Sequence, residues 1–370
     1  MNMWSIFLLF FPLTSLFSAI PNYAYLTNFG GDSVSVINAS DNSLVTNLSG
    51  SPYNFLQPGY LAFSPDETQI WVANIGNNSI TVFSAEDNSF IANLSGGSYN
   101  FSNIQYIQFS ADGSKVYATN HDNDTVTVLN AANFNFISSL GAGFGFNRPN
   151  TMILSNSGSL LLVANEWGNS ITVISTATDT LVTTLSGPPY NFNWPQQMAL
   201  TSNHLLFVPN SMGNSLTVLQ IDETMPSPTF THIVTLSGSP YNFDEPISCV
   251  LSNNQAALYV CNFNGNSVTV LNPHSSPTFP WIASLTSAEL IECRCISFDP
   301  FSSKAYVTNF ATNSVSVLDS STNTFTGNFS YGFMLPALTI FNQHPTPPPP
   351  SPGGLVPGCE FLFQTSLRRP

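Results

Sequence analysis

At 370 residues the chain is longer than one ordinary compact domain, and a count of two or three domains holds unless an internal repeat closes it into one body. Hydrophobic residues make up 43 % and charged residues only 7 %, so solubility must come from the Asn, Ser, Thr and Gly of the turns. With 20 acids against 6 bases the net charge is −14, which leaves no basic stripe for nucleic acid and repels anionic membranes.

The chain opens on an apolar stretch, Trp4 to Phe17, broken by Pro12 and short for a bilayer span. It ends in the small residues Ser18-Ala19, so residues 1–19 are expected to be a secretory signal, with no membrane-spanning segment left once it is removed. Against this, no Lys or Arg precedes the run, and Phe17 stands two before Ala19 where a small residue is preferred. The other reading is an extra hydrophobic strand or an uncleaved anchor.

From Tyr23 onward one unit repeats: strand, Asn, short polar turn, strand. The anchors are Asn28, Asn74, Asn120, Asn165, Asn210, Asn262 and Asn309. In the first copy Tyr25 to Asn28 is followed by Ser33 to Ile37, a third strand Ser43 to Leu48, a loop to Pro58 and a fourth strand Tyr60 to Phe63. β-Branched Val34, Val36, Ile80, Val82, Val126 and Val128 alternate with Ser or Thr, and turns such as Gly76-Asn77-Asn78 tolerate positive φ. Four short strands at this spacing predict a four-stranded antiparallel blade. No stretch carries a sustained helical period. The innermost strands (Tyr60–Phe63, Tyr106–Phe109, Thr151–Leu154, Gln197–Leu200, Ser248–Leu251 and Cys295–Phe298) read as the most apolar. The fifth interval is lengthened by an insertion, Asp222 to Pro228.

The ends predict closure. The first copy lacks its own innermost strand, and Leu335 to Phe341 is an innermost strand with no anchor after it. Three N-terminal strands and one C-terminal strand complete one blade, giving an all-β, seven-bladed propeller over residues 20–343 with no edge left over. Residues 344–358 form a Pro/Gly-rich linker, and 359–370 a short tail read as a truncated module. Of the five cysteines, Cys249 and Cys261 lie on successive strands, Cys293 and Cys295 on one strand facing the same side, and Cys359 in the tail. Buried thiols or one disulfide formed on export fit better than zinc, and no metal site is expected.

The copy Tyr306-Val307-Thr308-Asn309, followed by Asn313-Ser314-Val315-Ser316-Val317, resembles the YVTN β-propeller repeat. Trp71-Val72-Ala73-Asn74 and Tyr259-Val260-Cys261-Asn262 carry the same pattern. The resemblance covers residues 22 to 343. It implies a fold and an extracytoplasmic setting (secreted or cell envelope), not a reaction, since wider relatives include lactonases, a lyase and redox subunits.

Two recurrent constellations are candidates for a site at the channel mouth. Tyr53-Asn54-Phe55, Tyr99-Asn100-Phe101, Tyr190-Asn191-Phe192 and Tyr241-Asn242-Phe243, with Phe144-Gly145-Phe146 as a variant, set aromatic and amide groups on one rim. They either wedge between blades or stack on a sugar or peptide. The anchor asparagines are read as loop braces. His121 and Glu166 break the repeat: each follows an anchor, on neighbouring blades, with Asp122 and Asp124 beside them, and they are either an acid–base pair at the mouth or two solvated turn residues. His204, His232, His274 and His344 are scattered. No haem attachment, GxSxG elbow, P-loop or dinucleotide fingerprint occurs, so no cofactor is expected. Asn-x-Ser/Thr sequons such as Asn47 and Asn93 matter only where secreted proteins are glycosylated. The sequence thus predicts an exported, monomeric propeller that binds or scaffolds a glycan or protein and has no defined catalytic site. The alternative is a lactonase-like hydrolase or lyase acting at the channel mouth.

Overall fold

The computed structural model describes residues 22–224 and 227–341. They form seven four-stranded antiparallel sheets, and the innermost strands of successive sheets pack side by side as the blades of a propeller. Blades are numbered here by their anchors, Asn28 in the first to Asn309 in the seventh. Six of them run innermost to outermost in chain order. The first is assembled from both ends, in the order Pro336–Phe341, Tyr23–Asn28, Ser33–Asn38 and Leu44–Ser49. Tyr25 there faces Val36 on one side and Ile340 on the other, the expected clasp. A three-residue 3₁₀ turn, Phe29–Gly31, is the one helical element among the described residues, and no helix is long and apolar enough to cross a membrane. The expected signal, linker and tail lie outside the described residues.

Alternation of Val or Ile with Thr or Ser ordinarily marks a half-solvated strand. Here both faces are covered, because each blade is sandwiched between two others. In the fourth blade Leu160–Asn165 and Ser170–Ser175 are buried at every position, while the outermost Thr180–Ser186 is largely exposed. The apolar face feeds the clusters between blades, such as Trp71 of the second blade set edge-on against Phe109 of the third at 5.5 Å. The hydroxyl face is spent on hydrogen bonds described below.

The sequence misplaces the apolar maximum. The second and third strands are the fully buried ones, and the innermost strands turn one face to the central channel with polar residues such as Gln105, Asn150 and Arg294. The innermost strand of the fifth blade is only Ala199–Leu200, because the backbone of Gln197 pairs instead with Ile247 and Cys249 of the next blade. The insertion lengthens the outer hairpin of the fifth blade, where Asp222 faces Thr229. Its Glu223 docks on the fourth blade by accepting from the backbone N–H groups of Asn156 and Ser157 at 2.9 and 3.0 Å.

Four cysteines are free and buried, and Cys359 is not described. Cys293 and Cys295 do not share surroundings as expected, because a register shift falls between them. Cys293 packs beside Cys261 in the core, whereas Cys295 reaches the channel.

Candidate active site at the channel mouth

Two sets of loops meet at one end of the propeller: the anchor turns and the loops that carry the chain from an outermost strand to the next innermost strand. Every anchor amide is buried and donates to the hydroxyls five and seven residues on. Asn165 reaches Ser170 at 3.1 Å and Thr172 at 2.9 Å, and the other six repeat this within 0.1 Å. These residues brace loops and are closed to a ligand.

A second seven-fold contact, invisible in the sequence, joins the two loop sets. A left-handed Asp or Asn in each anchor turn accepts the backbone N–H of the residue that leads into the next innermost strand. Asp124 takes that of Arg148 at 2.7 Å and Asn169 that of Trp194 at 2.8 Å. The donors are Gln57, Asn103, Arg148, Trp194, Glu245, Glu292 and Leu335, all with φ between 49° and 55°. A glycine would adopt this conformation without strain, yet each blade places a side chain here, and such strain concentrates at functional sites.

Beneath this ring lies a cavity of about 350 Å³, walled by the innermost strands of all seven blades. His121, Glu166, Trp194, Glu245 and Arg294 reach it, with Tyr60 and Tyr106 stacked at 3.8 Å between ring centroids. Burial pushes the Tyr106 hydroxyl up to about 12 and the Cys295 thiol to about 12, so both stay protonated and Cys295 is no nucleophile near neutrality.

The structure brings His121 and Glu166 together. His121 Nε2 lies 3.0 Å from Glu166 Oε2, and both side chains are mostly buried. His121 Nδ1 lies 3.1 Å from Asp122 Oδ1 and 3.1 Å from Arg148 Nη1, and Arg148 also pairs with Asp122. A neutral imidazole protonated on Nδ1 would set the Nε2 lone pair against the Glu166 carboxylate. The ring therefore carries its proton on Nε2, donated to Glu166 with Nδ1 accepting from Arg148, or carries two protons shared with both acids. Burial pushes the Asp122 carboxyl up, but hydrogen bonds from His121 and Asn103 and the Arg148 charge outweigh it and hold it below the usual carboxylate range. Arg148 is fixed from above by the exposed Trp167, 4.7 Å from guanidinium to ring centroid, and Trp167 stacks on Trp194 at 6.2 Å.

Arg294 faces the cavity with no hydrogen bond or ion pair among the described residues. Its guanidinium lies 5.2 Å over the Phe310 ring. Arg148 and Arg294 were missed because an isolated arginine has no motif. The available signal was position: the second residue of the innermost strand in six blades, and Gln196 ahead of the short strand in the fifth, faces the channel and varies between copies, and Arg294 is the only cation among them.

The aromatic rim units lie elsewhere. Phe55, Phe101, Phe192 and Phe243 are buried between blades, and Tyr53, Tyr99, Tyr190 and Tyr241 each stack flat on the Phe two residues on, at 5.2 to 5.7 Å. Tyr190 donates to the Phe230 carbonyl at 2.8 Å and Tyr241 to that of Thr278 at 2.7 Å, on the outer side of the blades, and none of the four lines the cavity. The middle residue, Asn or Gly, is left-handed in all five units, which accounts for the exchange of Asn for Gly145.

A family model described as a lactonase, seven-bladed β-propeller, matches residues 21–187. No curated protein matches the chain. Among solved structures, the periplasmic gluconolactonase of Pseudomonas aeruginosa is 15 % identical, with a TM-score of 0.70 over 86 % of this chain and 99 % of that one. A Bacteroides fragilis protein provisionally described as a 6-phosphogluconolactonase is 14 % identical, with a TM-score of 0.69 over 88 % and 99 %. At such identities the neighbours establish the fold alone. The lactonase match overturns the expectation of a binding or scaffold propeller with no defined catalytic site and supports the alternative.

Proposed function

We propose that the protein is a lactone hydrolase acting at the mouth of the central channel. The observation that carries this reading is the His121–Glu166 pair, 3.0 Å apart and lining the cavity, in the part of the chain that matches the lactonase model. In this scheme Glu166 takes a proton from a water bound in the cavity, and the hydroxide forms the new C–O bond at the lactone carbonyl. Arg294, a cation with no hydrogen bond or ion pair among the described residues, stabilises the oxyanion. Collapse breaks the ring C–O bond, and the proton returns to the departing alkoxide to give the hydroxy acid. His121 is a positioning residue. It holds Glu166 by a hydrogen bond and is itself held at Nδ1 by Arg148, which pairs with Asp122.

The test is a pH-stat panel of γ- and δ-lactones. Glu166→Gln is expected to lower kcat by about 10²–10⁴-fold with the melting temperature retained. His121→Asn should shift the pH profile and lower kcat less, because the hydrogen bond to Glu166 is partly restored. Absence of lactone opening by the wild type above background, or equal rates in Glu166→Gln, would refute the assignment.

The apolar leader, the resemblance to YVTN repeats and the periplasmic setting of the Pseudomonas aeruginosa neighbour support export to the envelope or beyond. N-terminal sequencing of the mature protein from fractionated cells should find a start near residue 20. A cytoplasmic protein beginning at Met1 would refute export.

A further inference from the structure

We infer that the substrate is a lactone carrying an apolar chain, rather than a polyhydroxylated sugar lactone, because the channel mouth is split into a polar half and an apolar half. The inference rests on the lactone reading and names its substrate class.

The residue after each anchor stands at the mouth. In blades three to five it is His121, Glu166 or Ser211, and in the other four it is Phe29, Ile75, Phe263 or Phe310. One level deeper, the second residue of the innermost strand, or in blade five its counterpart ahead of the short strand, repeats the division. It is Gln105, Asn150 or Gln196 in blades three to five, against Gly59, Ile247 and Ala337 in blades two, six and one. The two levels agree in six blades. The seventh, which stands between blades six and one within the apolar half, carries Arg294 at the deeper level, its charge lying over the Phe310 ring.

The apolar half is continuous. Phe310 lies 6.4 Å from Phe29 and 6.5 Å from Phe263 between ring centroids. Ile75 leans over the innermost strand so closely that a Cβ on Gly59 would sit 2.5 Å from its Cδ1. Met334, 54 % exposed, and Leu56, 40 % exposed, extend the same side outward. Exposed apolar surface gathered at a cavity mouth marks a binding face.

A lactone ring set beside Glu166 and the amides of blades three to five has hydrogen-bond partners for its ester oxygens. A substituent on that ring is directed outward along the apolar side of the mouth, above Arg294. Hydroxyl groups set against Phe263, Phe310, Phe29 and Ile75 would give up water without a replacement partner, whereas each methylene buried there strengthens binding about fourfold.

The decisive experiment separates binding from turnover. Calorimetric titration with two hydrolysis-resistant lactams, an alkyl δ-lactam and glucono-δ-lactam, should show the alkyl compound binding at least about tenfold more tightly. Phe263→Asn should weaken the alkyl lactam about tenfold and leave glucono-δ-lactam unchanged. Ile75→Asn is the second variant if the first unfolds. Equal or tighter binding of glucono-δ-lactam, equal effects of the variant on both, or binding of neither overturns the inference. Parallel rates with the matching lactones test the reaction itself. Alkyl preference without turnover would remove hydrolysis and keep the apolar ligand, and turnover of glucono-δ-lactone without alkyl preference would do the reverse.

Discussion

Three letters of the repeated Tyr-Val-Thr-Asn unit, the tyrosine, threonine and asparagine, have separate hydrogen-bonding jobs. The tyrosine hydroxyl crosses to the next blade. Tyr117 donates to Asp179 at 2.7 Å and Tyr259 to Asn323 at 2.6 Å, both left-handed hairpin residues. The threonine bonds a neighbouring innermost strand, as Thr119 does to the Asn150 carbonyl at 3.0 Å. The asparagine donates to two hydroxyls, and the second of these passes the contact on: Thr81 to the Tyr53 carbonyl at 2.9 Å and Thr127 to that of Tyr99 at 2.9 Å. This relay is why the five blades with an aromatic unit carry Thr at that position, while the remaining two carry Ser35 and Ser316, which bond Asn47 and Asn328 instead. The anchors were legible because they recur in one register. The role of the aromatic units was not, because their partner is a backbone carbonyl, which has no letter in the sequence. Asn165→Ala should cost about 1–3 kcal/mol in urea unfolding, since two buried hydroxyls lose their donor. Asn191→Gly should be nearly neutral and Asn191→Ala should cost about 1–2 kcal/mol, because the position is left-handed. Equal stabilities of these two variants would remove the backbone account of the rim units and restore a role for their amides.

At the level of elements, the clasp was readable because strand counting leaves one strand unpaired at each end. The polarity of the innermost strands was not, since period and composition do not say that a channel lies on one side. The channel is also why the site was only half visible. His121 and Glu166 stand out against an Asn-rich repeat, but Arg294 sits between Cys293 and Cys295 in a strand that reads as core. Deleting residues 336–341 removes the innermost strand of the first blade and exposes the edge of Tyr23–Asn28. Such an edge templates pairing with another chain. Light scattering should then show dimers and larger species, with a lowered melting temperature. A monomer of unchanged stability would mean that the strand is a dispensable addition to a ring already closed.

For the molecule as a whole, few ion pairs among the described residues hold the fold, and its acid limit is set by hydrogen-bonded surface carboxylates, its alkaline limit by buried groups. Lys115–Asp179 at 2.8 Å ties the third blade to the fourth, but 7 % charged residues leave little such support. On the acid side, hydrogen bonds from serines hold the Asp87 and Asp112 carboxyls at about 2, so their contribution is present above about pH 4 and lost as pH falls toward 2. The alkaline side has the more deeply buried groups. Burial raises the hydroxyls of Tyr25, Tyr117 and Tyr306, and those of Tyr106 and Tyr259 to about 12, and it raises the Cys295 thiol to about 12. Unfolded, the same groups release their protons near pH 10 for Tyr and about 8.5 for Cys. Above those values the unfolded chain binds fewer protons than the native one, so stability must fall as pH rises. The melting temperature should therefore hold level from about pH 5 to 8 and drop steeply between about pH 9 and 12, with the share of Tyr absorbance near 295 nm that belongs to these five buried tyrosines rising only together with unfolding. Titration of all twelve tyrosines while the fold is intact would show that these hydroxyls reach solvent without the blades parting.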